Sequence, residues 1–330
     1  MCLFDIDVTP RCVGYIENKG IVSAAYTELS STDNIHMKYY YWWYLMLDMD
    51  KQLLHLSKNL RNSLSTEDFM GLYVVKPPIE KQVQIAEYLD KEISKIEEIM
   101  HKNNNLIELL EKKRVTLINQ RITKGIVPNV SMKDSGVDWI GEIPEHWELS
   151  KVKHELVFLD YKRVPLSAVE RTNMERIYDY YGASGVIDKV DSYLFDGKYI
   201  LVGEDGANLL SRSTPLAFIA EGKFWVNNHA HILSPINNDI DYFVYLLEAV
   251  DYTPFIEGSA QPKLTSDNLK NITIIKPPLN EQIEISKQLT KELDNIYNTI
   301  EKIQENNNLL EEYKKSLIHH AVTGKIDVSG

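Results

Sequence analysis

Two stretches of the chain share one pattern of apolar residues, spaced three and four positions apart. An α-helix turns once in 3.6 residues, so this spacing puts the apolar side chains on one narrow stripe, as in a coiled-coil seam. We therefore predict long helices over residues 79–125 and 279–325, each about 70 Å long at about 1.5 Å per residue. The seam residues, in the first and then the second stretch, are Ile85, Leu89, Ile96, Leu110, Leu117, Ile285, Leu289, Ile296, Leu310 and Leu317.

Helix boundary signals frame both stretches. Pro77-Pro78 and Pro277-Pro278 precede them, and proline is tolerated only in the first turn of a helix. Gly125 and Gly324 follow them, where a glycine often ends a helix.

The two stretches belong to an internal repeat with an offset of 200 residues. VVKPPIEKQVQIAEYLDKEISKI from Val74 aligns without gaps with IIKPPLNEQIEISKQLTKELDNI from Ile274. The register holds as far as Thr123 and Thr323, which chance similarity between helices would not produce. The sequence therefore indicates a duplication with an approximate internal twofold.

The order of segments predicts how the two helices pair. A short linker, residues 126–138, joins the first helix to a domain over residues 139–278, so the second helix must run back antiparallel to bury its stripe. The runs Asn103–Asn105 and Asn306–Asn308 then fall near the crossing point. They are either a solvated polar patch or a device that fixes the register of the pair.

Residues 139–278 are predicted to form a mixed α/β (α+β) domain. KYILVGEDG and GKFWVNNHAHILSP are typical of strands, DYFVYLLEAVDYTPFI of a helix, and SAQPKLTSDNLKNITIIKPP of a loop, a capped helix and a strand. Residues 1–78 repeat only the end of this pattern, with KYYYWWYLMLDMDKQLLHL as the helix, whose aromatic run we expect in the core, and NSLSTEDFMGLYVVKPP as the closing segment. We therefore expect residues 1–78 to be an N-terminally truncated copy of the domain.

Composition is that of an ordinary globular protein, with 44% hydrophobic and 25% charged residues. No run approaches the roughly 20 apolar residues that span a bilayer, and the N-terminus lacks the pattern of a signal peptide. Cys2 and Cys12 are too few for a disulfide framework, which favours the cytoplasm. The net charge of −12 opposes DNA binding unless basic residues cluster or a partner supplies positive charge.

Several motifs together resemble those of the DNA-specificity subunits of type I restriction–modification systems. ITKGIVPNVSMKDSGVDWIGEIPEHWELSKVK from Ile122 resembles the family's linker and domain start. YGASGVIDKVDSYLFDGKYILVGEDGANLL, VNNHAHIL and GSAQPKL are similar to one type of target-recognition domain, and KPPLNEQIEI to its exit into the helix. The resemblance covers essentially the whole chain.

The resemblance implies a non-enzymatic module, in which two target-recognition domains joined by the coiled coil each read half of a split double-stranded DNA target. The fixed helix length would set the unread spacer between the halves. The implied partners are methyltransferase subunits on the helices, a restriction subunit through the complex, and a second specificity chain as a further option. S-adenosylmethionine, ATP and Mg²⁺ would belong to those partners, with no cofactor in this chain. A truncated domain leaves a non-productive or inhibitory half-site module as an alternative.

Base edges are read by polar side chains on loops that enter a groove of DNA. Candidates fall in five groups in the predicted domain, although each residue is as well suited to a structural role in its loop. The predicted DNA contacts are Lys162, Arg163, Ser184, Asn208, Arg212, Asn227, Asn228, His229, Gln261 and Lys263.

The sequence gives weaker support to two other kinds of site, a nuclease site and a histidine metal site. Asp205 with Glu221-Gly222-Lys223 imitates the pattern of a Mg²⁺-dependent nuclease, but Gly222-Lys223 is expected to begin a strand instead of lying within one. His229 and His231 alternate as metal ligands would, but no further ligand follows, so a polar strand edge is favoured. No nucleotide or methyl-donor motif is found, and we predict neither catalytic residues nor a metal site.

Overall fold

A computed structural model describes residues 2–5, 12–16, 20–21, 26–30, 34–56, 71–258 and 261–328, the first four by their backbone only. The chain divides into two compact units. Unit 1 comprises Met1–Glu108 and Thr299–Gly330, and unit 2 comprises Leu109–Asn298. Each unit therefore combines a globular part with a portion of both long helices. Most of the predicted closing segment of the first domain lies outside the described residues.

Unit 1 begins with three short strands that form an antiparallel sheet in the order β2-β1-β3. These are β1 (Cys2–Asp5), β2 (Val13–Tyr15) and β3 (Tyr26–Leu29), followed by helices α1 (Met37–Met49), α2 (Gln52–Leu56) and the long α3 (Ile79–Lys124). The aromatic run of α1 faces the core, because Tyr39, Tyr40, Trp42 and Trp43 are all buried. This confirms that these rings are packing residues.

Unit 2 contains most of the strands. Its elements are β4 (Met132–Asp134), β5 (Glu142–Pro144), β6 (Glu148–Lys151), α4 (Val152–Glu155), β7 (Leu156–Phe158), α5 (Ala168–Thr172), β8 (Tyr178–Gly182), β9 (Gly185–Val190), β10 (Phe195–Gly203), α6 (Asn208–Ser211), β11 (Ala217–Val226), β12 (Ala230–Pro235), α7 (Ile240–Ala249), β13 (Ile256–Glu257), β14 (Lys263–Leu264), α8 (Ser266–Asn271), β15 (Thr273–Lys276) and the long α9 (Leu279–Val322). A six-stranded sheet has the order β7-β12-β10-β11-β8-β9, and only β11 and β8 are parallel. Inward-facing residues such as Leu201, Phe224 and Ile232 form its core.

Two boundaries in unit 2 differ from the sequence-based expectation. The segment 126–138 is not a plain linker, because its strand β4 pairs antiparallel with β5. Helix α7 stops at Ala249, although the apolar pattern continues to Ile256. The Asp251 carboxylate accepts a hydrogen bond from the Thr253 amide, and Pro254 lies in a separate 3-10 turn, Thr253–Phe255.

The helices α3 and α9 run antiparallel in unit 1, where Glu97 pairs with Lys314 and Asn103 bonds Asn307. In unit 2, Arg121 near the end of α3 forms a two-pronged ion pair with Glu292 near the start of α9. The helices end at Gly125 and Gly324, which have φ angles of 71° and 70°. A side chain with a Cβ is strained in this left-handed conformation, so glycine is the natural helix terminator.

The seam residues are buried to different extents. The apolar stripe is covered over most of its length near the globular parts, and it is only half covered at Leu110 and Leu310 near the middle and at Leu117 near the end of α3. Buried members are Ile85, Leu89, Ile96, Ile285, Leu289, Ile296 and Leu317. Half-buried members are Leu110, Leu117 and Leu310.

An asparagine layer lies within the helix pair of unit 1. The Asn103 amide donates to the side-chain oxygens of Asn306 at 3.1 Å and Asn307 at 2.7 Å. Asn307 in turn donates to Asn104 at 3.0 Å. Because these bonds form in one alignment of the two helices, they favour a single register, which supports the second of the two interpretations of the asparagine runs.

A glutamine at the same repeat position links each long helix to the globular part of its own unit. In unit 1, Gln82 accepts a hydrogen bond from the His36 amide and donates one to the Pro77 carbonyl. In unit 2, Gln282 accepts one from the Asp239 amide and donates one to the Pro277 carbonyl. His36 and Asp239 are the N-cap residues of α1 and α7. The duplication has therefore kept one buried junction in both units.

Candidate nucleic-acid interface

Several loops of unit 2 come together beside strands β8, β10 and β12. The amide of Asn227, after β11, donates to the Tyr181 carbonyl in β8. Asp205, after β10, forms an isolated β-bridge with Lys263. The tertiary fold thus brings together loops that are far apart in the chain.

Gly203 permits the closest of these approaches. A Cβ at this position would lie 2.9 Å from the Ala183 carbonyl oxygen, so any side chain would displace the turn between β8 and β9. That turn carries Ser184, one of the predicted DNA contacts. Gly203 therefore allows the two backbones to pack closely.

A buried ion cluster lies beneath the loops. The Glu204 carboxylate accepts a short hydrogen bond from the Arg163 guanidinium at 2.5 Å and pairs with the Lys263 ammonium at 3.1 Å. Asp160 accepts a bond from the His231 ring at 2.7 Å. We call these five residues, Asp160, Arg163, Glu204, His231 and Lys263, the ion cluster. Its members come from four separate loops or strands, so it fixes the positions of those loops relative to each other.

His231 is fully buried in strand β12 and is not part of a polar strand edge, which corrects the expectation from sequence. Its Nδ1 faces the Asp160 carboxylate and its Nε2 faces the Leu264 carbonyl at 2.8 Å. Both ring nitrogens thus lie within hydrogen-bond distance of oxygen atoms of the same domain. Within the described residues, no group of three or more His, Cys, Asp or Glu side chains is arranged to hold a metal ion.

The two carboxylates of the ion cluster have lowered pKa values. Burial by itself would raise the pKa of Asp160, but the hydrogen bond from His231, its charge and the Ile232 amide outweigh it. Burial likewise opposes ionisation of Glu204, and the bonds from Arg163 and Lys263 and the charge of His231 bring its pKa below the ordinary value. Both groups are therefore held as carboxylates at neutral pH.

Acidification is expected to destabilise unit 2 through these carboxylates. A carboxyl whose pKa is lower in the folded state contributes stability above its unfolded pKa, near 4. That contribution is lost as pH falls towards the folded pKa, at about 1.4 kcal/mol per pH unit for each group. Urea denaturation between about pH 5 and pH 2.5 should show this slope reduced in Glu204→Gln. An unchanged slope in that variant would contradict the assignment.

Six of the ten predicted DNA contacts are exposed on the loops. His229, whose ring bonds the Asp205 carboxylate at 2.7 Å, and Gln261 line a groove of about 780 Å³. The six exposed candidates are Lys162, Ser184, Asn228, His229, Gln261 and Lys263. Lys263 combines this exposure with its bond to Glu204 in the ion cluster.

The other four candidates are engaged within the domain. Arg163 belongs to the ion cluster and also donates to the Ala230 carbonyl at 2.9 Å. Arg212 donates to the carbonyls of Glu248 and Val250. Asn208 accepts a bond from the Thr214 amide, and the buried Asn227 accepts one from the His229 amide. Arg163 and Asn227 thus shape loops that carry exposed candidates, whereas Asn208 and Arg212 hold the loop after β10.

The nuclease-like pattern is spread apart by the fold. Glu221 lies opposite Lys198 in the pairing of β11 with β10, whereas Asp205 follows the far end of β10 at Gly203. Five residues of strand span about 17 Å, too far for two carboxylates to share one metal ion. Gly222-Lys223 lies inside β11, contrary to the expectation that it begins a strand. The separation, and not the strand boundary, argues against a nuclease site.

Sequence reasoning missed Asp160 and Glu204 as the supports of the loops. Asp160 lies in a 3-10 turn, and Glu204 lies directly after β10, within the segment KYILVGEDG. Their partners lie 71 and 41 residues away. In the sequence, Asp160 and Glu204 each lie within a few residues of a predicted DNA contact. Acidic residues in such positions are too common for this to identify a supporting residue.

Comparison with known proteins agrees with this architecture. The family model of the type I restriction modification DNA specificity domain matches residues 12–109 and 144–311. The chain therefore belongs to the family of type I restriction–modification DNA specificity subunits, which are non-catalytic.

Three relatives illustrate the match. The chain is 26% identical over 340 residues to the type I restriction enzyme MjaVIII specificity subunit of Methanocaldococcus jannaschii, covering 95% of this chain and 76% of that protein. It is 39% identical over 112 residues to a Haemophilus influenzae sequence assigned as the type I restriction enzyme specificity subunit S.HindORF215P, covering 33% of this chain and 28% of the relative. It spans 62% of an MjaX specificity-subunit relative of M. jannaschii at 28% identity. The chain thus covers less than two thirds of the last two.

A solved structure shares the fold. A chain from a study of complex assembly and conformational transition of the type I R-M system superposes with a TM-score of 0.73 at 12% identity, covering 97% of this chain and 81% of that one. The predicted fold class, mixed α/β domains with two long antiparallel helices and an internal repeat, is confirmed. None of the described helices has the length and apolar character to cross a membrane.

Proposed function

We propose that this chain selects the DNA site at which a type I restriction–modification complex acts, and that the loops of unit 2 read one half of a split target. The observation that carries the proposal is the group of six exposed polar side chains on loops held by the ion cluster. Rigid support of this kind lowers the entropy lost when polar side chains engage a base.

The exposed side chains suit two kinds of contact. Gln261, Asn228 and His229 can donate and accept hydrogen bonds, as discrimination between base edges requires. Lys162 and Lys263 can contact phosphates, which fix the position of a protein on the duplex without reading sequence. Both kinds of contact lie on the loops that adjoin the ion cluster.

The proposed complex includes methyltransferase subunits on the two long helices and a restriction subunit. The net charge of −12 supports such a division of labour, because an acidic chain gains little from phosphate contacts alone. S-adenosylmethionine, ATP and Mg²⁺ would then be bound by the partners, which perform the chemistry. The chain itself would contribute the choice of sequence.

Reconstitution with methyltransferase subunits tests this function. Sequencing of methylated sites should show a specific target, and Gln261→Ala should relax it at one position by about 1–3 kcal/mol per base pair. Lys162→Ala should weaken binding equally for all sequences and reduce the salt slope by about 1. Lys133, which is exposed on β4 away from these loops, provides the matched control variant Lys133→Ala. Methylation without sequence preference would contradict the proposed function. An unchanged preference in Gln261→Ala would contradict the assignment of Gln261 as a base-reading residue.

A further inference from the structure

A cavity of unit 2 is lined by both long helices and by the loop that follows α6. Its volume is about 660 Å³, within the range of about 300–1,000 Å³ that is typical of small-molecule sites. All of its lining residues belong to unit 2. It shares no lining residue with the groove beside His229 and Gln261, so it is a separate feature of the unit.

Positive charge is concentrated on the walls of this cavity. The side chains of Lys112, Arg114 and Arg212 line it, against the single carboxylate of Glu111. The chain as a whole has the opposite character, with a net charge of −12. A local excess of cations in an acidic chain creates a positive potential that attracts anions to this place.

Two of the cations have hydrogen-bond donors that the protein does not use. Arg114 donates from Nε to the Glu111 carboxylate at 2.8 Å, and its two terminal nitrogens bond no acceptor among the described residues. Its side chain is only 11% exposed, so the guanidinium is held in one position. Lys112 is exposed and forms no ion pair within the described part of the chain.

Arg212 adds a buried donor without a partner. Its φ angle of 52° is left-handed, a conformation that strains any residue with a side chain. Its Nη2 donates to the carbonyls of Glu248 and Val250, whereas its Nη1 is buried and has no acceptor in the described ranges. Arg114 and Arg212 also line a second, smaller cavity of about 160 Å³. An unpaired buried donor costs free energy, which an anion bound beside it would recover.

The two acids close to these cavities are engaged by donors of the protein. Glu111 is bonded by Arg114. The Glu248 carboxylate accepts hydrogen bonds from the amides of Leu216 and Ala217 at 2.8 and 3.1 Å. Neither acid forms an ion pair with another Lys or Arg of the described residues, so the charges on Lys112 and Arg212 stay without a direct counter-ion.

The remaining wall suits an organic group. Tyr297 of α9 is 45% exposed and lines the cavity together with Val115 and Pro215. The hydroxyls of Thr116 and Ser213 lie on the same lining. A phosphate group alone would fill only a small part of about 660 Å³. An exposed aromatic ring beside cations and hydroxyls is the combination that binds nucleotides, because every base has a face on which a ring can stack.

We propose that this cavity binds a small phosphate-bearing molecule of the size of a nucleotide. Arg114 and Lys112 bind the phosphate group, which a guanidinium can hold through two parallel hydrogen bonds. Tyr297 stacks on the base. The site goes beyond the proposed function and does not depend on it, since none of the six exposed DNA-contact candidates lines the cavity.

Calorimetric titration of the full chain without DNA tests the proposal, with adenosine 5′-monophosphate (AMP) as the probe. We expect saturable 1:1 binding with a Kd below about 1 mM. Adenosine lacks the phosphate and should bind at least about tenfold more weakly. Inorganic phosphate lacks the base and should also bind more weakly than AMP.

Substitutions on the lining locate the binding. Lys112→Gln should weaken AMP about threefold, as expected for an exposed charge. Arg114→Gln should weaken it at least about tenfold, because a charged donor is lost. Tyr297→Ala should weaken AMP and leave inorganic phosphate unchanged. Lys113→Gln removes the same charge from the next position of α3, which is exposed and does not line the cavity, so this matched control should bind AMP like the unmodified chain.

Four results would overturn the proposal. They are no saturable binding of AMP up to about 10 mM, equal binding of adenosine and AMP, equal effects of Lys112→Gln and Lys113→Gln, or loss of duplex DNA binding in Arg114→Gln without any binding of AMP. In the last case the cavity would contact DNA. Because Lys112 and Lys113 are both exposed, their comparison is independent of any effect on folding.

Discussion

Replacing Leu89 by aspartate is expected to unfold the helix pair of unit 1. Leu89 is 0% exposed in the core that α1, α3 and α9 share. The variant loses a buried leucine and places a carboxylate in an apolar core, so the expected cost is about 5 kcal/mol or more. Urea denaturation followed by circular dichroism at 222 nm should show unit 1 unfolding at a much lower denaturant concentration.

Leu309→Asp is the matched control for this effect. Leu309 lies on α9 in the same unit but is 63% exposed. The same chemical change there should alter stability by no more than about 0.5 kcal/mol. Similar losses in the two variants would show that the seam is assigned to the wrong face of the helices.

Replacing Arg163 by alanine should produce the second large effect, in unit 2. Among the described residues, the change leaves Lys263 as the remaining Lys or Arg partner of the Glu204 carboxylate, and it removes the donor to the Ala230 carbonyl. Breaking a buried ion pair from one side costs about 3–5 kcal/mol. Denaturation of unit 2 measures the cost, and DNA binding should weaken for every sequence because the loops lose their common support.

The neighbouring Lys162 separates this structural effect from loss of charge. Lys162→Ala removes the same charge from the same turn, but Lys162 is exposed and has no carboxylate partner among the described residues. It should leave stability within about 0.5 kcal/mol. If it destabilised unit 2 as much as Arg163→Ala, the ion cluster would not be the support of the loops.

The long helices could be predicted because their signal is periodic and repeated. Leu89 and Leu289 mark the same stripe in both copies, and each stripe is closed by a glycine at its end. Regular spacing of this kind can be recognised in the sequence without knowledge of tertiary contacts. The central members, Leu110 and Leu310, were predicted on the same basis but are only half-buried. Periodicity gives the face of a helix, whereas the depth of burial depends on what else packs there.

The support of the candidate interface could not be predicted in the same way. Arg163 and Asn227 were selected because their side chains can contact DNA, and the fold uses them inside the domain instead. Asp160 and His231 meet across 71 positions of sequence. The sheet topology decides which polar side chains face inward. The residues next to each of them in the sequence do not reveal this.

The shared glutamine junction has a consequence for how such chains diversify. Gln82 and Gln282 each bond one helix N-cap amide and one proline carbonyl, and both contacts use backbone atoms of the adjoining globular part. Backbone atoms are present whatever the side chains are. Genetic recombination that joined a foreign globular part at this Pro-Pro boundary would therefore regain both hydrogen bonds without a compensating mutation. The long helices and the globular parts joined to them can therefore be inherited independently of each other.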